Sequence, residues 1–240
     1  MNSSLTRTLA AIAFVGVSFV AQGQAQITTE DQVRLKALPV LFKALDARPG
    51  ARIADVGSGD GFYSLQIAAI VAPGGRVTAT DIDEKALTKL KANIESGKVT
   101  NVDVVQGRAD DPLLEANTFD AALIRNAYHE MTEHQTMLRH IREALKPGGR
   151  LVIADRVFKN QREANRSEQT AVHQLSPEFV EADLLAAGFQ IRSLNKSFEP
   201  VDGDPANPGA YWLIVAIAPA KGARTIVLPS TTPTPSTRGG

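Results

Sequence analysis

An aspartate set just ahead of three closely spaced glycines is the first place in this chain where chemistry suggests itself. Asp55 lies in a short apolar run from Ile53 to Val56, which breaks into Gly57-Ser58-Gly59-Asp60-Gly61 before a helical apolar stripe resumes at Phe62. A strand, a glycine turn and a helix start together form a cradle: glycine lets the backbone approach a ligand, and the helix start offers unpaired N–H groups. The spacing is G-x-G-x-G, unlike the G-x-G-x-x-G of dinucleotide sites, and Asp55 would repel a pyrophosphate. An acid at that point suits a ligand with an ammonium or other cationic group; the plain alternative is an ordinary strand-to-helix turn. A second acid, Asp81, ends the run from Arg76 to Thr80, where a carboxylate is placed to accept hydrogen bonds from ribose hydroxyls. A third, Asp110, follows the next apolar run, in Gly107-Arg108-Ala109-Asp110-Asp111.

Proton chemistry points elsewhere. His129, in Asn126-Ala127-Tyr128-His129-Glu130, and His173 have an intrinsic pKa suited to a general base near neutral pH, and Asp155 is a third candidate. The plainer reading is that His129 orders its loop and His173 sits at a helix entrance. No metal site is expected. His129-Glu130 followed by His134 misses the H-E-x-x-H spacing, whose second histidine comes four positions after the first. The chain has no cysteine, which excludes disulfides, thiol nucleophiles and thiolate metal sites together.

The elements that must position these residues alternate strand and helix from Ala51, the pattern of a parallel sheet with helices on both faces. Asp83 is placed to cap a helix through Ser96, with Leu87, Leu90 and Ile94 inward and Gly97 as its stop. Val102 to Val105 and Phe119 to Ile124 read as strands three and four. Thr132 with Gln135 has the spacing of a capping box for a helix carrying Met137, Leu138, Ile141 and Leu145, stopped at Pro147-Gly148-Gly149. Leu151 to Ala154 reads as strand five, ending at Asp155. Ser176-Pro177 opens another helix that Gly188 ends. Gln190 to Lys196 and Tyr211 to Ala218 read as a closing antiparallel pair. Ahead of the sheet, a helix capped around Thr28 to Asp31 is expected to run to about Asp46, with Val33, Leu35, Leu38, Leu41, Phe42 and Leu45 as its apolar set.

In open sheets of this kind ligands sit beyond the C-terminal strand ends, which here supply Asp55, Asp81, Asp110, Asn126 and Asp155. The three acids in order, with Leu145-Lys146-Pro147-Gly148-Gly149-Arg150-Leu151-Val152-Ile153-Ala154-Asp155, resemble the class I S-adenosylmethionine-dependent methyltransferases, and more closely their small-molecule "type 11" branch. The resemblance covers about residues 51–218. It implies an α/β, doubly wound, mostly parallel seven-stranded sheet whose last strand is antiparallel. It implies S-adenosylmethionine as cofactor: Gly57, Gly59 and Gly61 around its methionine part, Asp55 toward its amino group, Asp81 at the ribose, and Asp110 or Asp111 at the adenine amino group, with Ile82 and Asn126 also among the cofactor-binding residues. The activity implied is methyl transfer to a small-molecule acceptor, with His129, His173 or Asp155 as base if the acceptor carries an OH or NH. Two departures exclude neighbouring mechanisms. Arg125 and Asn126 stand where magnesium-dependent catechol-type enzymes carry a carboxylate, and the lack of cysteine excludes a thiol relay.

Composition fits one globular domain with tails. Of 240 residues 43% are apolar and 22% charged, and the 26 basic and 26 acidic residues balance, so nothing asks for nucleic acid or an anionic membrane. Residues 1–25 have the layout of a secretory signal peptide: Arg7, an apolar stretch from Leu9 to Ala21, then small residues at Gly23 and Ala25. Export to the periplasm or medium is therefore expected, against the alternative of an uncleaved membrane-associated helix. Residues 26–50 form the leading helix, 51–218 the domain, and 219–240 a Thr/Pro/Ser-rich tail read as disordered. Two rivals to an enzyme of methyl transfer follow: an exported module that only binds a nucleoside cofactor, and an NAD-dependent oxidoreductase, which the glycine spacing and Asp55 disfavour.

Overall fold

Apolar strands and half-apolar helices alternate along the computed structural model, which describes residues 29–196, 198 and 211–220. In chain order these are α1 (Thr29–Leu45), β1 (Arg52–Val56), α2 (Phe62–Val71), β2 (Arg76–Asp81), α3 (Glu84–Ser96), β3 (Val102–Gln106) and β4 (Phe119–Arg125). A 3₁₀ turn (Tyr128–Glu130) precedes α4 (His134–Ala144) and β5 (Leu145–Arg156); α5 (Arg166–Thr170), α6 (Pro177–Ala186), β6 (Gln190–Asn195) and β7 (Tyr211–Ile217) complete the set. The strands form one seven-stranded sheet in the order β3-β2-β1-β4-β5-β7-β6. β1 to β5 pair in parallel, and β7 runs antiparallel to both β5 and β6. This is the α/β doubly wound architecture that the sequence implies.

Side-chain alternation explains why both faces are covered. Register pairs Ile53 with Val77 and with Ala121, so these share one face, over which α1 and α2 pack Leu41, Leu45, Ile67 and Val71. On the same side α3 sets Leu87 and Leu90 over Ala79. The opposite row, Ala54, Ile124, Ile153 and Ile214, is covered by Leu138 and Ile141 of α4 and Val180 and Leu184 of α6. A strand buried on both faces reads as a continuous apolar run, which is why β4 and β5 are so apolar. Each large side chain so buried contributes about 1.5–3 kcal/mol. Trp212 is buried in this layer and still satisfied, its Nε1–H donating to the Leu175 carbonyl at 2.8 Å.

Three local expectations are corrected. The Thr132–Gln135 capping box does not form: α4 starts at His134, its N-cap Glu133 makes no side-chain cap bond, and Gln135 Nε2 reaches instead to Asp183 on α6. Gly97 ends α3 as expected, capping it at a right-handed φ of −78°, and the left-handed turn falls on Lys98. Strand five is longer than Leu151 to Ala154, because Leu145 already pairs with Phe119 and the Pro-Gly-Gly segment is absorbed in a register shift before Arg150 meets Ala121. Leu35 of α1 faces outward, while Leu38, Leu41 and Leu45 are buried. The signal-peptide reading of residues 1–25 and the tail reading beyond residue 220 lie outside the described residues, as does the side chain of Val33.

Candidate functional site

The strand order changes direction between β1 and β4, so the crevice of this sheet opens at their C-terminal ends. Two polar groupings stand at that edge. The first is the glycine turn between β1 and α2. Gly57, Gly59 and Gly61 all take left-handed φ values, of 74°, 55° and 82°. A side chain would be strained at each, and at Gly57 a Cβ would come within 2.5 Å of the Ala127 Cβ. The turn is thus packed against the loop after β4. At Gly59 a Cβ would meet nothing within 4 Å, so this part of the turn faces open space.

The end of β2 fixes the turn. Thr80 O accepts from the N–H groups of Gly57 and Ser58 at 2.8 and 3.1 Å, and Asp81 Oδ2 accepts from Gly59 N–H at 2.8 Å. Asp81 Oδ1 takes the Asp83 N–H at 2.9 Å. Its half-exposed carboxylate keeps lone pairs for a ligand hydroxyl. Ile82, next to it, is an apolar side chain left 61% exposed, a surface that a flat ring would cover. The Ser58 Oγ is buried with no hydrogen-bond partner. An open backbone cradle, a carboxylate with spare acceptors, a bare isoleucine and an unsatisfied hydroxyl together fit a nucleoside with an amino-acid part.

Asp55 stands differently. It is 2% exposed beneath the turn, and its Oδ2 accepts the Ser64 hydroxyl at 2.6 Å, which ties β1 to the first turn of α2. Burial outweighs that bond, with Asp81 nearby adding repulsion, and the pKa is pushed up to about 6. Asp110 lies on the exposed loop after β3, which is bound to β2 by Gly107 N–H to Asp81 O at 3.0 Å and Thr80 Oγ1 to Pro112 O at 3.0 Å. Its own carbonyl accepts from His140 Nδ1 at 3.0 Å, and Asp111 instead uses its Oδ1 to hold the Leu113 N–H. Asn126 is exposed and left-handed (φ 53°), its N–H bonded to Ala154 O at 2.8 Å. Arg125 beside it is buried among the rings of Tyr63, Phe198 and Tyr211, 5.1–5.9 Å from their centres.

The second grouping joins all three proton-transfer candidates. β4 and β5 are neighbours, so the 3₁₀ turn after β4 meets the end of β5. There Asp155, fully buried, accepts His129 Nδ1 at 2.8 and 3.0 Å, the His129 backbone N–H at 3.3 Å and the Arg156 backbone N–H at 2.8 Å. A carboxylate on Nδ1 fixes the proton there and leaves Nε2 as the ring's acceptor. Nε2 lies 3.1 Å from Glu130 Oε1, and the same oxygen meets His173 Nδ1 at 2.5 Å. Burial alone would lower the His129 pKa, but the Asp155 hydrogen bond and the charges of Asp155 and Glu130 raise it, with Arg156 opposing. Glu130 is the member that sequence reading passed over. It lies 43 positions from His173, and the loop that brings His173 back takes a left-handed φ of 56° at that residue. A hollow of about 340 Å³ near the start of α6, lined by residues including Ser176, Lys196 and Trp212, contains none of these groups.

Residues 47–198 match a family described as a methyltransferase domain. A ubiquinone/menaquinone biosynthesis C-methyltransferase, UbiE, from Vibrio cholerae is 36% identical over 110 residues, 45% of this chain and 42% of that protein. The chain thus spans less than half the length of this curated relative. Among solved structures, a SAM-dependent methyltransferase from Aquifex aeolicus superposes with a TM-score of 0.64 at 21% identity, covering 76% of this chain and 89% of that one. The [4+2]-cyclase SpnF does so with 0.66 at 22% identity, covering 80% and 83%. At such identities the likeness is one of fold.

Proposed function

The chain belongs to the methyltransferase-domain family, and from that premise we propose that it transfers a methyl group from S-adenosylmethionine to a small-molecule acceptor. The observation that carries this reading is the built cradle at the switch point: the open glycine turn, the Asp81 carboxylate and exposed Ile82, all locked together by β2. When bound, S-adenosylmethionine supplies a methyl group made electrophilic by the sulfonium, which a nucleophile takes as the C–S electron pair returns to sulfur. The residues that would hold it are Gly57, Ser58, Gly59 and Gly61 with Asp81 and Ile82, and Asp110 at the rim. Asp55 acts from behind the turn, as a buried charge under the backbone that the ligand meets. Catalysis then asks mainly for positioning of the acceptor and exclusion of water. An acceptor at the ends of β4 and β5 would meet His129, Glu130 and His173, backed by Asp155.

The match to UbiE supports methyl transfer; it covers too little of that protein to carry its place in quinone biosynthesis over. Incubating the protein with S-adenosylmethionine and a panel of phenols, amines and quinols, and following S-adenosylhomocysteine by mass spectrometry, tests the reading. Acceptor-dependent product supports it. Binding without product on a broad panel favours a module that holds the nucleoside without transferring methyl. We also propose export directed by residues 1–25, on their sequence alone. N-terminal sequencing of secreted protein should begin at Gln26, and retention of Met1 would count against it. Among the described residues no helix is long and apolar enough to cross a membrane.

A further inference from the structure

We propose that His129, Glu130 and His173 form a binding site for a divalent first-row transition-metal cation, with Asp155 as the carboxylate that orients the buried histidine. One ligand atom from each of the three residues lies within 4.8 Å of the others. Nε2 of His129 and Nδ1 of His173 both point at the same Glu130 oxygen, at 3.1 and 2.5 Å. Ligand atoms around a tetrahedral cation at about 2.0–2.1 Å stand roughly 3.3 Å from one another, so small turns of two exposed side chains open the space a cation needs. His129 is already set. Its Nδ1–H is spent on Asp155, which has no exposure and three further reasons to stay put: the N–H groups of His129 and Arg156 and its place in the β5–β7 pairing. A carboxylate behind a histidine ligand is the usual outer partner of bound metals, fixing the tautomer and the ring plane.

Charge and donor type narrow the ligand. Glu130 and Asp155 are carboxylates and Arg156 the cation beside them, its Nε donating to the His173 carbonyl at 3.4 Å, so acidic groups outnumber basic ones around the two imidazoles. Two nitrogens and one oxygen suit zinc or its first-row neighbours and not the all-oxygen shells of magnesium or calcium. Three protein ligands leave a position open to a small molecule. Given the methyl-transfer reading, on which only this last step rests, an acceptor hydroxyl bound there would release its proton to water more readily. Spacing in sequence hides the site because His173 arrives from a separate loop.

The test uses the untagged full chain, stripped with a chelator and titrated with Zn²⁺ against a chromophoric competitor, with Co²⁺ absorption as a second readout. One Zn²⁺ per chain is expected. Glu130→Gln and His173→Ala should each weaken it more than tenfold; both side chains are over half exposed, so these variants keep their fold, which melting curves verify. Asp155→Asn should cost about 10–100-fold in affinity. His140→Ala, away from the cluster, should change nothing. No binding in the wild type, or equal binding in Glu130→Gln and His173→Ala, overturns the site and leaves His129 with Asp155 as a proton acceptor alone. S-adenosylmethionine titrated in parallel separates the two readings: zinc binding without it sinks methyl transfer only, and the reverse sinks the metal site only.

Discussion

Replacing Asp55 by Asn removes a buried charge while keeping volume and the acceptor for Ser64. In the folded chain this carboxyl titrates at about 6, against an ordinary 3.8. The folded state therefore holds the proton more tightly than the unfolded one. Below about pH 3 both states are protonated and the group is neutral to stability; between about pH 4 and 6 the unfolded chain ionises this carboxyl while the folded one keeps its proton, so stability falls across that window and levels off once both are ionised. At about 1.36 kcal/mol per pH unit, the gap from 3.8 to about 6 amounts to about 3 kcal/mol, reached in full above pH 7. The group is 2% exposed, so solvent screening takes little from this figure. The amide of the Asp55→Asn variant leaves a buried NH₂ that costs about 1–3 kcal/mol, independent of pH. The prediction is thus on the difference. Urea unfolding of both chains from about pH 3 to 8 should show the variant gaining about 3 kcal/mol relative to wild type, most of it between about pH 4 and 6. Parallel pH curves would refute it, and would mean that Asp55 is not a charge held out of water.

Other outcomes follow from the same contacts. Asp81→Ala should weaken S-adenosylmethionine binding by about 1.5–3 kcal/mol, and Asp81→Asn by less, since its amide oxygen still accepts; because Asp81 also holds Gly59 N–H, Asp81→Ala should speed hydrogen exchange in the glycine turn as well. Gly57→Ala should cost about 1–2 kcal/mol from its left-handed backbone alone and lower cofactor affinity further, as the new methyl displaces Ala127; an unshifted melting temperature and affinity would contradict this. Tyr128→Phe removes a hydroxyl that donates to Asp183 Oδ2 at 3.0 Å in the core, and should cost about 1–3 kcal/mol in melting experiments while leaving cofactor affinity unchanged.

The cofactor half of the site was legible in sequence because its chemistry sits on strand ends. Ile53 to Val56 has to be a strand, three glycines cannot continue a helix, and Asp81 follows the next apolar run, so the positions fall together once the sheet is parallel. What sequence does not show is where each carboxylate points. Asp55 turns inward to Ser64, and Asp81 spends acceptors on the turn itself. The histidine cluster was legible only as separate residues. His129 meets Asp155 because β4 and β5 are neighbours in register, Arg125 beside Ala154, and Glu130 joins His173 through a loop with no periodic pattern to read. The Thr132 cap failed for a related reason: Gln135 finds a better partner in Asp183, which also binds Arg166 at 2.6 Å and Tyr128. Local capping chemistry yields to a buried carboxylate that gathers three elements.

The central claim is that the switch-point cradle holds S-adenosylmethionine and not a dinucleotide. Calorimetric titration of the chain with S-adenosylmethionine, S-adenosylhomocysteine and NAD tests it most directly. One site for each of the first two, both weakened in Asp81→Ala, with no heat from NAD, is the predicted result. Saturable NAD binding, or no binding of either sulfur nucleoside by folded protein, would contradict it.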